Sequence, residues 1–365
     1  MKILQLLPAH EFHGGELATL RLSKELLRMG TEVVVVTSPA LKDEFLRLRP
    51  KAVYVLPQHG GNLLQRARTY SKMMVYLRRI LSIEQPDVVH VQAKLARILM
   101  LGTIGGGVVV ETLHGVGLTR GEAFPRVVNR ITDPLAAASF NEFISVSKLQ
   151  NGRSSLFGTP IRYIPNSIDG GEYRFVPFDK KEKIVIFVGR LSEVKRPLFF
   201  VESIGLIHSF LSQRGVKVKM VGDGPLRETL ELAINRLGLG DLISLEGQVP
   251  PEKVQELMAS SFVYVTCSVT EGMSLALLEA MASGCAVVAS DIPGNSSVIQ
   301  HERTGLLFNG KDAAGLASSI ERVIQEPSLT TDLTRNARKE FESNYDTRRN
   351  TLSVMQVYKE VVSSR

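Results

Sequence analysis

Met29-Gly30-Thr31-Glu32-Val33-Val34-Val35-Val36-Thr37-Ser38 holds four consecutive valines with no polar residue between them. Such a strand has no wet face, and it reads as one buried on both sides in a parallel sheet. The residues ahead of it, 16–29, have helical periodicity, and Gly30 stands where a helix C-cap belongs. Working outward, apolar β-rich runs recur at 2–7, 52–56, 87–92, 108–114 and 142–147, and the valine run itself spans 32–38. A second series lies at 184–190, 216–221, 243–246, 262–268 and 286–290. Between the two, 164–183 carries Pro165, Asn166, Gly170, Gly171 and Pro177, which predicts an interdomain linker. Strands alternating with helices predict an α/β fold of two doubly wound, Rossmann-like domains, at 1–165 and 166–346. A last helical stretch, 347–365, falls beyond the second sheet and can pack elsewhere, the first domain included. Ligands of open parallel sheets bind outside the C-terminal strand ends, so a central cleft faced by both domains is the expected site.

At 365 residues the chain is long enough for two cores, and 44% hydrophobic with 22% charged residues is the balance of a globular protein. No apolar run approaches the roughly 18 residues of a membrane-spanning helix. Residues 1–8 read as a first strand rather than a signal peptide. Cys267 and Cys285 have no metal-ligand spacing and fit a reducing, cytoplasmic setting. Charge is uneven: residues 1–165 hold 21 Lys and Arg against 12 Asp and Glu, a net of +9, and the remainder holds 23 against 25, a net of −2. Residues 62–81 carry five basic residues and no acid at helical spacing, with Leu63, Ala67, Tyr70, Met74, Leu77 and Leu81 on one face. That pattern fits either a helix packed on the sheet or peripheral contact with an anionic membrane. No nucleic-acid partner is expected.

The chemistry concentrates in Thr270-Glu271-Gly272-Met273-Ser274-Leu275-Ala276-Leu277-Leu278-Glu279-Ala280-Met281-Ala282-Ser283-Gly284. A strand ends, a glycine-bearing loop follows, and a helix begins. The N–H groups of Met273, Ser274 and Leu275 then form an anion site at the helix N-terminus. Two carboxylates beside a phosphate-binding turn make sense where they accept hydrogen bonds from hydroxyls, and a nucleotide sugar has hydroxyls on both sides of its diphosphate. The plain alternative makes Glu271 an N-cap and Glu279 a solvated helix residue. Against solvation, the small apolar neighbours of Glu279 predict a buried carboxylate that needs a partner.

This stretch resembles the paired-glutamate signature of the retaining family 4 glycosyltransferases of GT-B architecture (group 1 glycosyltransferases). Val188-Gly189-Arg190-Leu191 with Lys195, Val221-Gly222-Asp223-Gly224-Pro225-Leu226, Ala289 to Asn295 and Thr304 to Phe308 are similar to that family's further motifs in order. So are Gly14-Gly15-Glu16 and Thr112-Leu113-His114-Gly115 in the first half. Ser274, Ser167 and Gly105-Gly106-Gly107 depart from the usual family residues. The resemblance implies transfer of a sugar from a nucleotide-diphosphate donor, UDP first, to a hydroxyl acceptor on a glycan, lipid or small molecule. Arg190 and Lys195 then grip the diphosphate, Glu279 the ribose hydroxyls and Glu271 the transferred sugar. Gly14 and Gly15 give close backbone approach, Gly272 to Leu275 line the donor, and His114 lies near the sugar. In this reading Arg190, Lys195, Glu271 and His114 carry the catalysis. The chain has no Asp-x-Asp, so neither metal nor cofactor is expected. Rival readings are a sugar-nucleotide epimerase of the same fold, a phosphorylase, for which no pyridoxal-binding lysine motif is seen, and a non-enzymatic nucleotide-sugar-binding module. Gly222-Asp223-Gly224 is half a dinucleotide fingerprint and weak support for a nicotinamide cofactor.

Overall fold

The computed structural model describes residues 1–9, 14–57, 63–103, 107–114, 132, 134–136, 138–148 and 161–364. Gly105, Gly106 and Gly115, singled out in the sequence, lie outside them, as does the side chain of Leu63. The chain divides into two compact units, Met1–Asn166 with Thr347–Arg365, and Ser167–Asp346.

In the first unit the described strands are β1 (Lys2–Leu7), β2 (Glu32–Thr37), β3 (Ala52–Val55), β4 (Val88–Val91), β5 (Val108–Leu113), β6 (Glu142–Ser145) and β7 (Ile161–Tyr163). They form one parallel sheet in the order β3-β2-β1-β4-β5-β6-β7. The valine run shows why both faces are dry. Val34 and Val36 join Leu4, Leu6, Val89 and Leu77 in one core layer. Val33 and Val35 join Ile3, Leu7, Leu26 and Phe45 in the other. The second layer is completed by the C-terminal helix Thr347–Ser363, which inserts Val354, Val357, Tyr358 and Val361. Winding reverses between β1 and β4, which makes their C-terminal ends the place where a crevice opens.

The second unit repeats the plan with β8 (Glu182–Val188), β9 (Lys217–Val221), β10 (Ile243–Gly247), β11 (Ser261–Thr266), β12 (Ala286–Ser290) and β13 (Leu306–Phe308). The parallel order is β10-β9-β8-β11-β12-β13, with its reversal between β8 and β11. Both units are Rossmann-like. β7 is too short, at three residues, for a period-two pattern to register, and the sequence reading passes over it.

One expectation needs correction, and one choice left open is decided. The stretch 164–183 is not a bare linker. Ile164, Ile168, Tyr173 and Val176 in it are all buried. Asp169 caps a short turn by accepting from the Gly171 N–H at 3.0 Å. The basic helix Leu63–Glu84 follows the first of its two readings and packs its apolar face on the sheet. Leu77 is buried in the core of its own unit, with Tyr70, Met74 and Leu81 packed against that core, while Met73 and Ile80 complete the buried row. Ala67, placed on the same face in the sequence reading, is exposed. The side of the helix turned away from the core holds Arg68, Lys72, Val75, Tyr76, Arg79 and Ile83, all exposed.

Candidate active site

The second unit gathers most of the predicted residues at the reversal between β8 and β11. β8 is followed by Gly189, whose φ of +157° lies in a region suited to glycine. Arg190 follows on an exposed loop. The loop then turns back on itself, the N–H groups of Lys195 and Arg196 both donating to the Ser192 carbonyl, at 3.0 and 3.1 Å. Gly222 and Gly224 hold this loop from below. A Cβ on Gly222 would overlap the Gly189 carbonyl oxygen, and one on Gly224 would lie 2.5 Å from the Leu191 oxygen. The Leu191 N–H donates to the Asp223 carbonyl at 2.9 Å, and the Leu226 N–H to the Leu191 carbonyl at 3.0 Å. The half-fingerprint is thus a close backbone packing that carries the Arg190 loop.

Across the reversal, Lys195 Nζ donates to Glu271 Oε1 at 2.5 Å, and the Ser268 hydroxyl donates to the same oxygen at 2.5 Å. The two charged side chains are 24% and 11% exposed, so water screens the pair only partly. Both donors meet Glu271 at Oε1, and among the described residues no donor reaches Oε2. The loop bearing Glu271 is pinned on its other side. Gly294 is packed so closely on the Glu271 carbonyl that any Cβ would overlap it. The Ser290 hydroxyl donates to the Ser268 carbonyl at 2.7 Å, and Asn295 Nδ2 donates to the Ser290 carbonyl at 2.9 Å.

Glu271 does not cap the next helix. Ser274 does, its hydroxyl accepting from the Leu277 N–H at 3.4 Å, and the helix runs Leu275–Ser283 to Gly284 at φ +80°. Gly272, Met273, Ser274 and Leu275 therefore lead directly into a helix N-terminus. Glu279, one and a half turns in, is only 7% exposed and accepts from the Tyr173 hydroxyl at 2.9 Å. The sequence pointed to a partner for this carboxylate without naming it, because Tyr173 comes from the stretch read as a linker. Tyr264 of β11 lies beneath the same group. Burial raises its phenol pKa, the carboxylates of Glu271 and Glu279 raise it further, and hydrogen bonds to Ser274 and Thr266 work against them. No spacing rule would have picked out Tyr173 or Tyr264, since each reaches the site only through the fold, whereas Ser268 is a local partner three residues before Glu271.

Gly14, Gly15 and His114 belong to the first unit, at the C-terminal ends of β1 and β5. The helix Gly14–Arg28 starts with both glycines, and Gly15 lies on the imidazole: an added Cβ would sit 3.4 Å from His114 Cγ. His114 Nε2 is 2.8 Å from Gln92 Oε1. Burial pulls the His114 pKa down to about 4, so the ring is neutral near pH 7. Gln92 itself joins Gln5 and His90 in a buried polar cluster that the sequence reading did not anticipate. Among the described residues no group of three His, Cys, Asp or Glu side chains converges as metal ligands do.

Comparison with known proteins agrees with this arrangement. Residues 12–170 match the family model described as Glycosyltransferase Family 4, and residues 172–340 match Glycosyl transferases group 1. An uncharacterized glycosyltransferase of Methanocaldococcus jannaschii is 26% identical over a 367-residue alignment, covering 93% of this chain and 92% of that one. The UDP-Gal:α-D-GlcNAc-diphosphoundecaprenol α-1,3-galactosyltransferase of Escherichia coli is 27% identical over 80% of each chain. Among solved structures, Anabaena HepE in complex with UDP and glucose superposes with a TM-score of 0.81 at 21% identity, covering 98% of this chain and 99% of that one. With both halves matched in order and the GT-B fold in place, the chain belongs to the group 1, family 4 glycosyltransferases.

Proposed function

We propose that this glycosyltransferase moves a hexose-like sugar from UDP to a hydroxyl acceptor, with retention at the anomeric carbon and without a catalytic metal ion. The observation that carries this reading is the Lys195–Glu271 pair at the β8/β11 reversal, beside the helix N-terminus and the buried Glu279. A donor diphosphate is matched by Arg190, Lys195 and the N–H groups from Met273 to Leu275. Charge grows on the leaving diphosphate as the C1–O bond breaks, and a fixed cationic pair stabilises it more in the transition state than in the ground state. Glu271 accepts from hydroxyls of the sugar, and Glu279 from those of the ribose. His114, with Gly14 and Gly15 beside it, serves the sugar side. The acceptor oxygen attacks from the face the diphosphate leaves. A bond from C1 to that oxygen forms, and the acceptor proton passes to a donor phosphate oxygen. No side chain need act as a nucleophile.

Support for UDP comes from relatives: the E. coli protein is named for a UDP-galactose donor and HepE holds UDP. The E. coli name also points to a lipid-diphosphate acceptor, which would place the enzyme at the cytoplasmic face of an anionic membrane. The outward side of the helix Leu63–Glu84, rather than its core-facing side, is then the contact. A thermal-shift screen against UDP, GDP, ADP and their sugars tests the donor, because a ligand that binds only the folded state raises its stability. We expect the UDP series to win, and sugar transfer from the best donor to survive excess chelator with the α-anomer retained. Complete loss in chelator restored by Mg²⁺, or an inverted product, overturns the mechanism. Donor binding with neither transfer nor hydrolysis would instead favour a binding module, and conversion of one UDP-sugar into another an epimerase.

A further inference from the structure

At the C-terminal ends of β1, β4 and β5 lies a connected set of side chains that the mechanism above does not use. His90 is fully buried. Its Nδ1 lies 2.5 Å from the Tyr358 hydroxyl and 3.1 Å from Gln92 Nε2, and its Nε2 lies 2.7 Å from the Thr112 hydroxyl. Gln92 Nε2 also donates to Gln5 Oε1 at 2.9 Å. Both hydrogens of the Gln92 amide are thereby engaged, one toward Gln5 and one toward His90. Its oxygen faces His114 Nε2 at 2.8 Å. With the amide set this way its oxygen only accepts, which assigns the hydrogen to His114 Nε2. Turning Gln92 over alone would set its oxygen against the oxygen of Gln5; the opposite polarity needs Gln5, whose Nε2 is buried with no partner among the described residues, to turn with it.

His90 takes its own tautomer from the same orientation. To accept from Gln92 its Nδ1 must be a lone pair, so its hydrogen sits on Nε2 and goes to Thr112. Tyr358, from the C-terminal helix, donates to the same lone pair. Burial raises the Tyr358 pKa and keeps that hydroxyl protonated. Burial also holds His90 down to about 3, as a neutral ring with a single hydrogen to place. In this orientation one polarity runs from Tyr358 through His90 and Gln92 to His114. At its end, His114 Nδ1 is buried and has no hydrogen-bond partner among the described residues.

We propose that Gln92 and Tyr358 are positioning residues that hold His114 as its Nε2–H tautomer, so that Nδ1 accepts a hydrogen bond from a hydroxyl of the transferred sugar. This rests on the assignment of His114 to the sugar side. The tautomer excludes a donor role at Nδ1: a sugar oxygen without a hydrogen has nothing to gain there, whereas a hydroxyl does.

The test uses the full chain with ¹⁵N-labelled histidine, the His114 signals being identified by their loss in His114→Asn. The unaltered protein is expected to show hydrogen on Nε2 and a bare Nδ1 at neutral pH. Gln92→Leu and Tyr358→Phe remove the accepting oxygen and the far donor in turn, and either should bring Nδ1–H into the spectrum. Release of UDP is followed from UDP-glucose, UDP-galactose and UDP-N-acetylglucosamine. Turnover of whichever donor the enzyme consumes should fall by about tenfold or more, the scale of removing the second partner of a functional imidazole. Affinity for UDP alone should hold, since UDP lacks the sugar. Tyr358→Phe keeps its ring in the core and so remains informative if Gln92→Leu fails to fold. Hydrogen on Nδ1 in the unaltered protein, or Tyr358→Phe with tautomer and turnover both unchanged, overturns the proposal. If the tautomer is as stated but His114→Asn keeps full turnover, what fails is the sugar-side assignment of His114, and the acceptor role of Nδ1 fails with it.

Discussion

Glu271 and Glu279 are eight positions apart on one strand–loop–helix unit, yet their surroundings set them different tasks. Glu271 shares Oε1 between Lys195 and Ser268 at the loop, whereas Glu279 sits inside the helix against Tyr173. Glu279→Gln should therefore weaken binding of UDP, which contains the ribose, by roughly tenfold to a hundredfold, the range for a charged hydrogen bond. Glu271→Gln should leave UDP affinity nearly unchanged and cut transfer, because its proposed partner is the sugar. Calorimetry with UDP reads the first and turnover the second, and the reverse pattern would exchange the two assignments. His90 and His114 make a separate prediction about acid. The pKa of His90 is held down to about 3 and that of His114 to about 4, both below the ordinary 6.5, with burial the first cause. Their contribution to stability is complete above pH ~6.5, where folded and unfolded states are both neutral. As pH falls below that value the unfolded chain takes up protons the folded chain refuses, and stability drops by up to about 1.4 kcal/mol per pH unit for each ring that stays neutral when folded. The melting temperature should fall on acidification from neutral, and less steeply in His90→Asn. Equal slopes in the two proteins would show that His90 titrates alike folded and unfolded.

Single elements explain why these residues stay where they are. The turn Gly222-Asp223-Gly224 supports the Arg190 loop by backbone contact alone, which is why two positions there admit no side chain. The basic helix Leu63–Glu84 divides its duties by face. Met73, Leu77 and Ile80 belong to the core, and Arg68, Lys72 and Arg79 stand outward among Val75, Tyr76 and Ile83. An outward face that mixes cations with apolar side chains is suited to the headgroup layer of an anionic bilayer. Flotation with anionic liposomes should show binding that weakens as salt is raised, because screening shortens the reach of the charges. Reversing Arg68, Lys72 and Arg79 to Glu should abolish flotation and leave the melting temperature nearly unaltered, since none of the three is buried. No flotation of the unaltered protein at low salt would reject the membrane contact and favour an acceptor free in solution.

For the molecule as a whole, the notable feature is that the first unit is not continuous in sequence. It is closed by a helix that arrives after the second unit has been completed, and that helix supplies Val354, Val357, Tyr358 and Val361 to the core. At about 1.5–3 kcal/mol for each large apolar side chain fully buried, these four contribute roughly 6 kcal/mol or more, which is comparable with the whole stability of an ordinary domain. A fragment ending at Asn166 should accordingly lack a cooperative thermal transition. A fragment of 167–346, whose core is its own, should melt cooperatively and be stabilised by UDP. Circular dichroism on the two fragments checks this, and a sharp transition in 1–166 would show that the last helix is dispensable. The same helix brings Tyr358 to His90, so the element that closes the core also completes the polar cluster behind His114.

Sequence alone was enough wherever a property repeats along the chain or is local to a few residues. Val33 to Val36 announced a doubly buried parallel strand because side chains alternate between faces, and an apolar residue at every position demands cover on both. The Glu271-to-Gly284 stretch announced a helix N-terminus flanked by carboxylates because caps and glycines act within one turn. Tertiary structure alone decided which side chains meet. Tyr173 reaches Glu279 across 106 positions and Tyr358 reaches His90 across 268, and neither separation leaves a trace in any periodicity. It also decided which face of the basic helix is dry, since a helix with apolar residues on two sides can bury either, and only the sheet beneath it selects one. The physical reason is common to these cases: a buried polar group must find a partner, but the chain specifies only that need, and the packing of distant elements specifies who meets it.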